Sequence, residues 1–361
     1  MNLREKIDNS PMGVYQWAIV LMAAVMNFLD GFDVLAIAFT ATNISKDFGL
    51  SKTEFGMLVS AGLIGMVVGS MVLAPLADKF GRRPILLLSV AFSAVGLAVS
   101  GFSTTSEILA FSRILTGLGV GGILVGTNVI TSEYSSKKWR SFAISVYAAG
   151  FGIGAMIGGI IAKSLQSAYS WHAVYFAGAA MTAVVFVVLW IWLPESIDYL
   201  NSKQPQNAKA RLNKIAHKLG FAGEWELTEK RAEKAVKLPI TALFSQKYLR
   251  STLLLWLSFF AIMFCFYFIS SWTPALLKEA GMTVEESINV GMMISLGGAA
   301  GSLVYGLIAS RWSARSVLML FTIASSIAIV VFILSSQNLA IAMVLGVVVG
   351  ALINGCISGL Y

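Results

Sequence analysis

One stretch of this sequence recurs in altered form. It reads Ala74-Pro75-Leu76-Ala77-Asp78-Lys79-Phe80-Gly81-Arg82-Arg83 and lies between two long apolar runs. Its second copy reads Gly306-Leu307-Ile308-Ala309-Ser310-Arg311-Trp312-Ser313-Ala314-Arg315. When the copies are aligned, Ala77 meets Ala309, Lys79 meets Arg311 and Arg83 meets Arg315. Each copy follows the second apolar run of a group, so a parallel duplication of a six-helix unit is predicted.

The composition is that of a membrane protein. Hydrophobic residues make up 57% of the chain and charged residues 12%, whereas about a quarter of a soluble domain is charged. Apolar runs of about twenty residues fit helices, and they lack the alternation of barrel strands. We therefore predict an all-α membrane protein with about ten spans, at 17–40, 55–77, 84–102, 107–131, 141–164, 171–193, 251–274, 288–310, 316–335 and 339–360.

The spans divide into groups of six and four. Residues 1–193 are predicted to form an N-terminal six-helix bundle, residues 194–250 a basic cytoplasmic linker, and residues 251–361 a partial second bundle. The segment Ala208–Lys218 places Leu212 and Ile215 three residues apart, which is typical of a short amphipathic surface helix. Because no polar tail follows the last apolar run at Tyr361, the sequence is expected to be a fragment or a truncated chain.

The net charge of +8 follows the predicted topology. If the N-terminus is cytoplasmic, only Lys46, Lys52, Lys163 and Lys278 of the 26 Lys and Arg residues lie on the outside, and Arg113 lies within a span. This asymmetry agrees with the positive-inside rule and predicts a cytoplasmic N-terminus and linker. The cations are therefore interpreted as orientation determinants that face anionic lipid, and no nucleic-acid partner is expected.

The first copy of the repeat resembles the signature of the major facilitator superfamily, a Gly-x-x-x-Asp-basic-x-Gly-basic-basic run between helices 2 and 3. Ala74 replaces the usual first glycine, and Ser310 stands where the second copy would carry an acid. Further matching features are Arg113 followed by Gly117, Gly119 and Gly121, Glu133 with Arg140, and Pro194-Glu195-Ser196. The resemblance implies the major facilitator fold, two six-helix bundles, with helices 11 and 12 missing from this sequence.

Within that superfamily, Asp30-Gly31-Phe32-Asp33 resembles the Asp-Gly-x-Asp hallmark of the aromatic acid:proton symporters. Those bacterial inner-membrane carriers import benzoate, hydroxybenzoates, vanillate, muconate and similar carboxylates. The resemblance implies a small carboxylate as substrate, protons as the coupling ion, no cofactor, and a monomeric protein in the lipid bilayer.

Asp30 and Asp33 are unusual residues for a membrane span. An ionised carboxylate near the centre of a bilayer costs roughly 2.5–3.5 kcal/mol on insertion scales. The two acids are three residues apart and are expected to share one helix face. Counting helical rise from the ends of the spans places Asp33 and Arg113 at similar depth. The family resemblance implies that helices 1 and 4 both line the central cavity, so a salt bridge or a shared water network between these two residues is expected.

Arg113 is the candidate anchor for an anionic substrate, because a guanidinium stays charged and offers planar bidentate donors to a carboxylate. Burial and a neighbouring like charge favour the neutral form of a carboxyl group, so proton uptake at Asp30 and Asp33 is expected to favour anion binding. The alternative is a structural ion pair between Asp30 and Arg113. Asn27 is a further candidate for substrate binding or for packing, and Tyr267 is the candidate among the aromatic residues of helix 7.

The family resemblance implies a cytoplasmic gate formed by Asp78, Gly81, Arg82 and Arg83, in which Asp78 pairs across helices. Glu133 and Arg140 are assigned to the same gate. The alternative for these residues is a tight turn that carries positive-inside charges.

Other functions remain open from the sequence. A superfamily porter for a sugar, an organic cation or another metabolite is the nearest alternative; a sensor, a scaffold and an inactive truncated product are others. No HExxH or Gly-x-Ser-x-Gly motif supports an intramembrane enzyme, and the two histidines, His172 and His217, lie at the edge of a span or outside the spans. Gly150, Gly154 and Gly158 predict a close helix contact, and Gly158-Gly159 without a proline argues against drug antiport.

Overall fold

The computed structural model describes residues 2–227, 243–246, 248–309, 311–335 and 338–360. Within these residues the chain forms thirteen α-helices: α1 Leu3–Asn9, α2 Val14–Phe48, α3 Lys52–Phe80, α4 Arg82–Gly101, α5 Ser106–Tyr134, α6 Arg140–Ala168, α7 Trp171–Trp192, α8 Ile197–Lys203, α9 Ala208–Lys218, α10 Leu249–Glu279, α11 Val284–Ala309, α12 Ala314–Ser335 and α13 Leu339–Leu360. Ten of them, α2–α7 and α10–α13, are long and apolar enough to cross a membrane. The prediction of an all-helical chain with ten spans is confirmed.

The first span is longer than predicted. The apolar run suggested 17–40, but α2 continues to Phe48 and ends where Gly49 adopts a left-handed conformation, with φ of +65°. Its polar last turns are held by neighbours: Asn43 Nδ2 donates to Gln166 Oε1 over 2.7 Å, and Trp171 Nε1 donates to Asp47 Oδ2 over 2.7 Å. Helix ends are thus fixed by caps and contacts that a hydropathy window does not register.

Helix α6 packs against both groups of membrane helices. One face meets α2, where a Cβ atom at Gly154 would lie 1.9 Å from the carbonyl oxygen of Phe28. The other face meets α11, where a Cβ atom at Gly152 would lie 2.5 Å from the carbonyl oxygen of Ser295. The predicted close contact at the glycine series is confirmed, and small residues on α6 bring the two groups of helices together.

Substituting Gly154 by alanine is expected to destabilise the protein by about 1–3 kcal/mol or more, since a methyl group cannot fit without moving α2 from α6. Gly56 provides the matched control, because an added Cβ atom there meets only the Trp272 ring at 3.5 Å. We expect thermal unfolding of the purified protein in detergent to give a clearly lower Tm for Gly154→Ala than for Gly56→Ala. Equal Tm values would contradict this account of the α2–α6 contact.

Two ion pairs connect the groups of helices at one end of the molecule. Lys52 Nζ lies 2.9 Å from Glu279 Oε1, and Lys163 Nζ lies 2.5 Å from Glu285 Oε1. All four side chains are at least 40% exposed, so each pair contributes at most about 1 kcal/mol. This end is held together mainly by helix packing.

The linker contains the predicted surface helix. Helix α9 covers Ala208–Lys218 as predicted, and its Leu212 and Ile215 are buried in a cluster with Leu3 and Ile7 of α1. Residues 228–242 and 247 of the predicted linker lie outside the described residues, as do Ser310 of the second repeat copy and Tyr361. Both cysteines, Cys265 and Cys356, are free thiols.

Candidate substrate and proton site

Asp30 and Asp33 lie in the middle of α2, where the helix packs closely against α6. A Cβ atom at Gly31 would lie 2.0 Å from the carbonyl oxygen of Phe151 on α6. The glycine between the two acids therefore has a packing role, and it keeps α2 against its neighbour at the level of the carboxylates. Both carboxylates are buried, with 3% of Asp30 and 5% of Asp33 exposed.

Asp33 forms an ion pair with Arg113. Its Oδ1 atom lies 2.9 Å from Arg113 Nη1, and Arg113 is only 4% exposed. The proximity predicted from helix depth and from the family resemblance is confirmed, and the partner of Arg113 is Asp33. The alternative, an ion pair between Asp30 and Arg113, is wrong, because Arg113 pairs with Asp33.

Polar and aromatic side chains orient the guanidinium. Arg113 Nη2 donates to Thr116 Oγ1 over 3.1 Å and to Ser100 Oγ over 3.3 Å. The guanidinium carbon lies 5.2 Å from the centroid of the Tyr175 ring, within the range of a cation–π interaction. The Tyr175 hydroxyl is in turn 3.3 Å from Thr40 Oγ1. Arg113 is thus positioned by α2, α4, α5 and α7.

Two cavities flank this part of α2. The Arg113 cavity has a volume of about 40 Å³, and its lining includes Asp33, Arg113 and Met66. The Asp30 cavity has a volume of about 90 Å³, and its lining includes Asp30 and Asn27. The two acids were expected to serve one site on one helix face, but they line different cavities. Their spacing of three residues rotates the second carboxylate far enough to face a different set of neighbours.

Tyr267 of α10 lines both cavities. Its hydroxyl lies 3.5 Å from Met66 Sδ, so the phenol reaches from the second group of helices to α3. Most other aromatic residues of α10 point outward; Trp256, Phe260, Phe264 and Phe268 are exposed. The selection of Tyr267 from this helix is supported by its position, while its role in binding stays a prediction.

Asn27 lines the Asp30 cavity and also joins two helices. Its Nδ2 atom donates to the carbonyl oxygen of Tyr147 on α6 over 2.9 Å. The packing role is thus present in the structure, and a role of Asn27 in substrate binding stays a prediction.

The predicted gate residues occupy the turn between α3 and α4. Gly81 is the only residue between these helices; its φ is +109°, and a Cβ atom there would lie 2.6 Å from Glu195 Oε2. Asp78 pairs across this turn with Arg82, whose Nη2 atom lies 2.6 Å from Asp78 Oδ1. The Arg83 amide donates to Glu195 Oε1 over 2.9 Å. These contacts match the second interpretation given for these residues, a tight turn that carries positive charges. Their role as a gate stays a prediction.

Glu133 and Arg140 take different partners. Glu133 Oε2 accepts from the amide of Ile197 over 3.0 Å, and its Oε1 atom accepts from Ser196 Oγ over 2.9 Å. Arg140 pairs with Asp8 of α1. Both residues therefore attach peripheral helices to the membrane bundle, α8 in one case and α1 in the other.

Several residues around the site were not predicted. Ser100, Thr116 and Tyr175 contact Arg113, and Asn128 and Asn354 line the Asp30 cavity. A signal did exist for the asparagines, because each is a carboxamide within an apolar span.

The chain matches the family model of the Major Facilitator Superfamily over residues 22–361. It is 30% identical over 364 residues to the 4-hydroxybenzoate transporter PcaK of Pseudomonas putida, covering 100% of this chain and 81% of the relative. It is 32% identical over 314 residues to the gallate transporter of the same organism, covering 86% of this chain and 69% of the relative. The chain therefore belongs to the major facilitator superfamily.

A solved structure agrees with the fold. The partially occluded inward-open xylose transporter XylE of E. coli superposes with a TM-score of 0.74 at 16% identity, covering 96% of this chain and 83% of the transporter. At this identity the likeness concerns the fold alone. Taken with the family match, it makes the chain a multi-pass membrane transporter rather than an enzyme.

Proposed function

We propose that this protein is a proton-coupled symporter that imports a small aromatic or related carboxylic acid by alternating access. The observation that carries the proposal is the buried Asp33–Arg113 ion pair at a cavity between the two groups of helices. The transport of 4-hydroxybenzoate and gallate by relatives of similar sequence supports the substrate class.

The charges of the pair supply a coupling mechanism. In the absence of substrate, Asp33 neutralises Arg113 and occupies its Nη1 donor. A substrate carboxylate that replaces Asp33 would leave a buried unpaired aspartate, which costs several kcal/mol. Protonation of Asp33 removes that cost, because Arg113 then pairs with the substrate while the neutral acid remains buried. The proton and the anion therefore bind together, and the net charge of the site does not change.

Asp30 is proposed as a second proton-binding group. Its Oδ1 atom is buried and has no hydrogen-bond partner within the described residues. A buried carboxylate oxygen without a partner is costly while ionised, so binding of a proton at Asp30 would remove that cost. Asp30 lies one helical turn from Asp33, about 4.5 Å along the axis, which is close enough for the two groups to influence one another through water.

The proposed location is the bacterial inner membrane, with the N-terminus and the linker in the cytoplasm. The excess of Lys and Arg on that side supports this orientation. The turn at Asp78, Gly81, Arg82 and Arg83 then lies at the cytoplasmic rim. There, its ion pair and its link to Glu195 can stabilise one state of the alternating-access cycle.

Uptake into proteoliposomes tests the proposal. With an alkaline interior, labelled 4-hydroxybenzoate, gallate, benzoate or muconate is expected to accumulate above its external concentration, and a protonophore is expected to abolish the accumulation. Xylose serves as the control for the competing sugar-porter hypothesis. The proposed function would be contradicted if xylose accumulates and none of the acids does. It would also be contradicted if an acid accumulates equally well in the presence of the protonophore.

A further inference from the structure

The guanidinium of Arg113 has two kinds of neighbour. Asp33 is an anion that leaves in the proposed exchange, whereas Ser100, Thr116 and Tyr175 are neutral side chains that need not move. Between the protonation of Asp33 and the arrival of the substrate, Arg113 is therefore a buried cation without a counterion. Such a cation is strongly unfavourable, so the contacts that remain determine how readily this intermediate forms.

The hydroxyl groups reach only one nitrogen of the guanidinium. Ser100 and Thr116 both accept from Nη2, and the Nε atom is buried without a hydrogen-bond partner among the described residues. When Asp33 leaves Nη1, two of the three nitrogens therefore lack a partner in the described part of the chain. The remaining contact is with Tyr175, whose ring centroid lies 5.2 Å from the guanidinium carbon. An aromatic face attracts a cation most strongly where water is excluded.

Tyr175 is held in place from several sides. Its side chain is fully buried, its hydroxyl lies 3.3 Å from Thr40 Oγ1, and the Trp171 ring packs against it edge-on with centroids 5.8 Å apart. Tyr175 lines neither the Arg113 cavity nor the Asp30 cavity. It can therefore act on Arg113 without contacting the substrate.

We propose that Tyr175 is a positioning residue of the transport site, whose ring stabilises the Arg113 cation while neither Asp33 nor the substrate is paired with it. The inference rests on the proposed function and adds a residue that sets the rate of the exchange. The ring contacts Arg113 in the free state and in the substrate-bound state alike, so its contribution cancels in the dissociation constant. It does not cancel in the intermediate, where the counterion is absent and the ring carries more of the compensation for the charge.

The test separates the rate of exchange from the affinity. The Kd of labelled 4-hydroxybenzoate, and the rate of its dissociation after dilution into unlabelled acid, are measured on purified wild-type protein, Tyr175→Leu and Tyr175→Phe. Leucine removes the ring, whereas phenylalanine keeps the ring and removes only the hydroxyl. We expect Tyr175→Leu to slow dissociation about ten- to thirtyfold, the effect of a desolvated cation–π contact, and to change Kd by less than about twofold. Tyr175→Phe is expected to keep both wild-type values.

Phe176→Leu is the matched control and should change neither value, because it removes the next aromatic ring of α7, which packs against Phe102. Weaker binding with faster dissociation in Tyr175→Leu would overturn the inference, since it would indicate a deformed site. Equal slowing by Tyr175→Phe, or no slowing by Tyr175→Leu, would overturn it as well. If Tyr175→Leu does not fold, Tyr175→Met takes its place, because methionine fills the space with a flexible apolar side chain.

The outcomes separate this inference from the proposed function. Each result that overturns the role of Tyr175 leaves the symporter proposal standing, because the wild-type protein still binds the acid. If the wild-type protein does not bind 4-hydroxybenzoate or a related acid, both proposals are overturned.

Discussion

Replacing Arg113 by glutamine is expected to lower the affinity for the carboxylate substrate by at least about 30-fold, corresponding to about 2 kcal/mol or more. The guanidinium is the proposed anchor of the substrate carboxylate, and it is buried among oriented neighbours. Glutamine offers a neutral donor without the charge or the bidentate geometry. Binding of labelled 4-hydroxybenzoate to the purified variant measures the effect, and Lys203→Gln, an exposed linker cation, is the control for charge removal.

The single variant also leaves Asp33 without its counterion. Breaking a buried ion pair from one side destabilises a protein by about 3–5 kcal/mol, and an unfolded variant would also fail to bind. The double variant Asp33→Asn/Arg113→Gln removes both charges; asparagine has the shape of aspartate, and glutamine is shorter than arginine but leaves no unpaired charge. We expect it to unfold near the wild-type temperature and still not bind the acid. If the double variant binds the acid with wild-type affinity, Arg113 is not the anchor of the substrate carboxylate and the ion pair has only a structural role.

Asp33→Asn is expected to abolish accumulation while transport down a substrate gradient continues. The substitution leaves Arg113 free of its internal competitor, so the anion can bind without a proton. In the presence of a pH gradient, the internal concentration of the acid should then rise only to the external concentration. Exchange of labelled for unlabelled acid should persist. Asp47→Asn, on the same helix but hydrogen-bonded to Trp171 near its end, is the matched control. Undiminished accumulation by Asp33→Asn would contradict the coupling mechanism.

The sequence predicted the features that depend on hydropathy and on helical rise. The ten spans, the surface helix Ala208–Lys218 and the similar depth of Asp33 and Arg113 follow from counting residues along apolar runs. These quantities are properties of single helices or of their depth in a bilayer. That α2 and α5 lie close enough to bring Asp33 to Arg113 was implied by the family resemblance.

Helix rotation and neighbour identity could not be predicted in the same way. The spacing of Asp30 and Asp33 turns the two carboxylates in different directions, but which neighbours and which cavity each one meets depends on the helices packed around α2, at contacts such as Gly31 with Phe151. The side chains that orient Arg113 come from α4, from α5 itself and from α7. Hydroxyl groups of serine and threonine are frequent in membrane helices, where most bond to their own backbone, so Ser100 and Thr116 carried no distinguishing signal.

The gate motif gives a third example. The sequence located the turn at Gly81, but the contacts of this turn with Glu195 could not be predicted. Glu195 accepts a hydrogen bond from the Arg83 amide, and its side chain fills the space that a Cβ atom at Gly81 would need. It is more than one hundred residues away along the chain. Pro194-Glu195-Ser196 was noted as a family feature, yet only the fold brings it to the turn. Such a contact depends on how the fold places the segment after α7 beside the turn between α3 and α4.

Proton uptake on substrate binding tests the central claim most directly. Titration calorimetry of 4-hydroxybenzoate binding, repeated in buffers of different ionisation enthalpy, counts the protons exchanged with the protein. With binding measured at a pH where Asp33 is ionised in the free protein, we predict that the wild type takes up about one proton per acid bound and that Asp33→Asn binds without uptake. Binding of the acid to the wild type without proton uptake, or the same uptake by both proteins, would contradict an exchange of Asp33 for the substrate at Arg113.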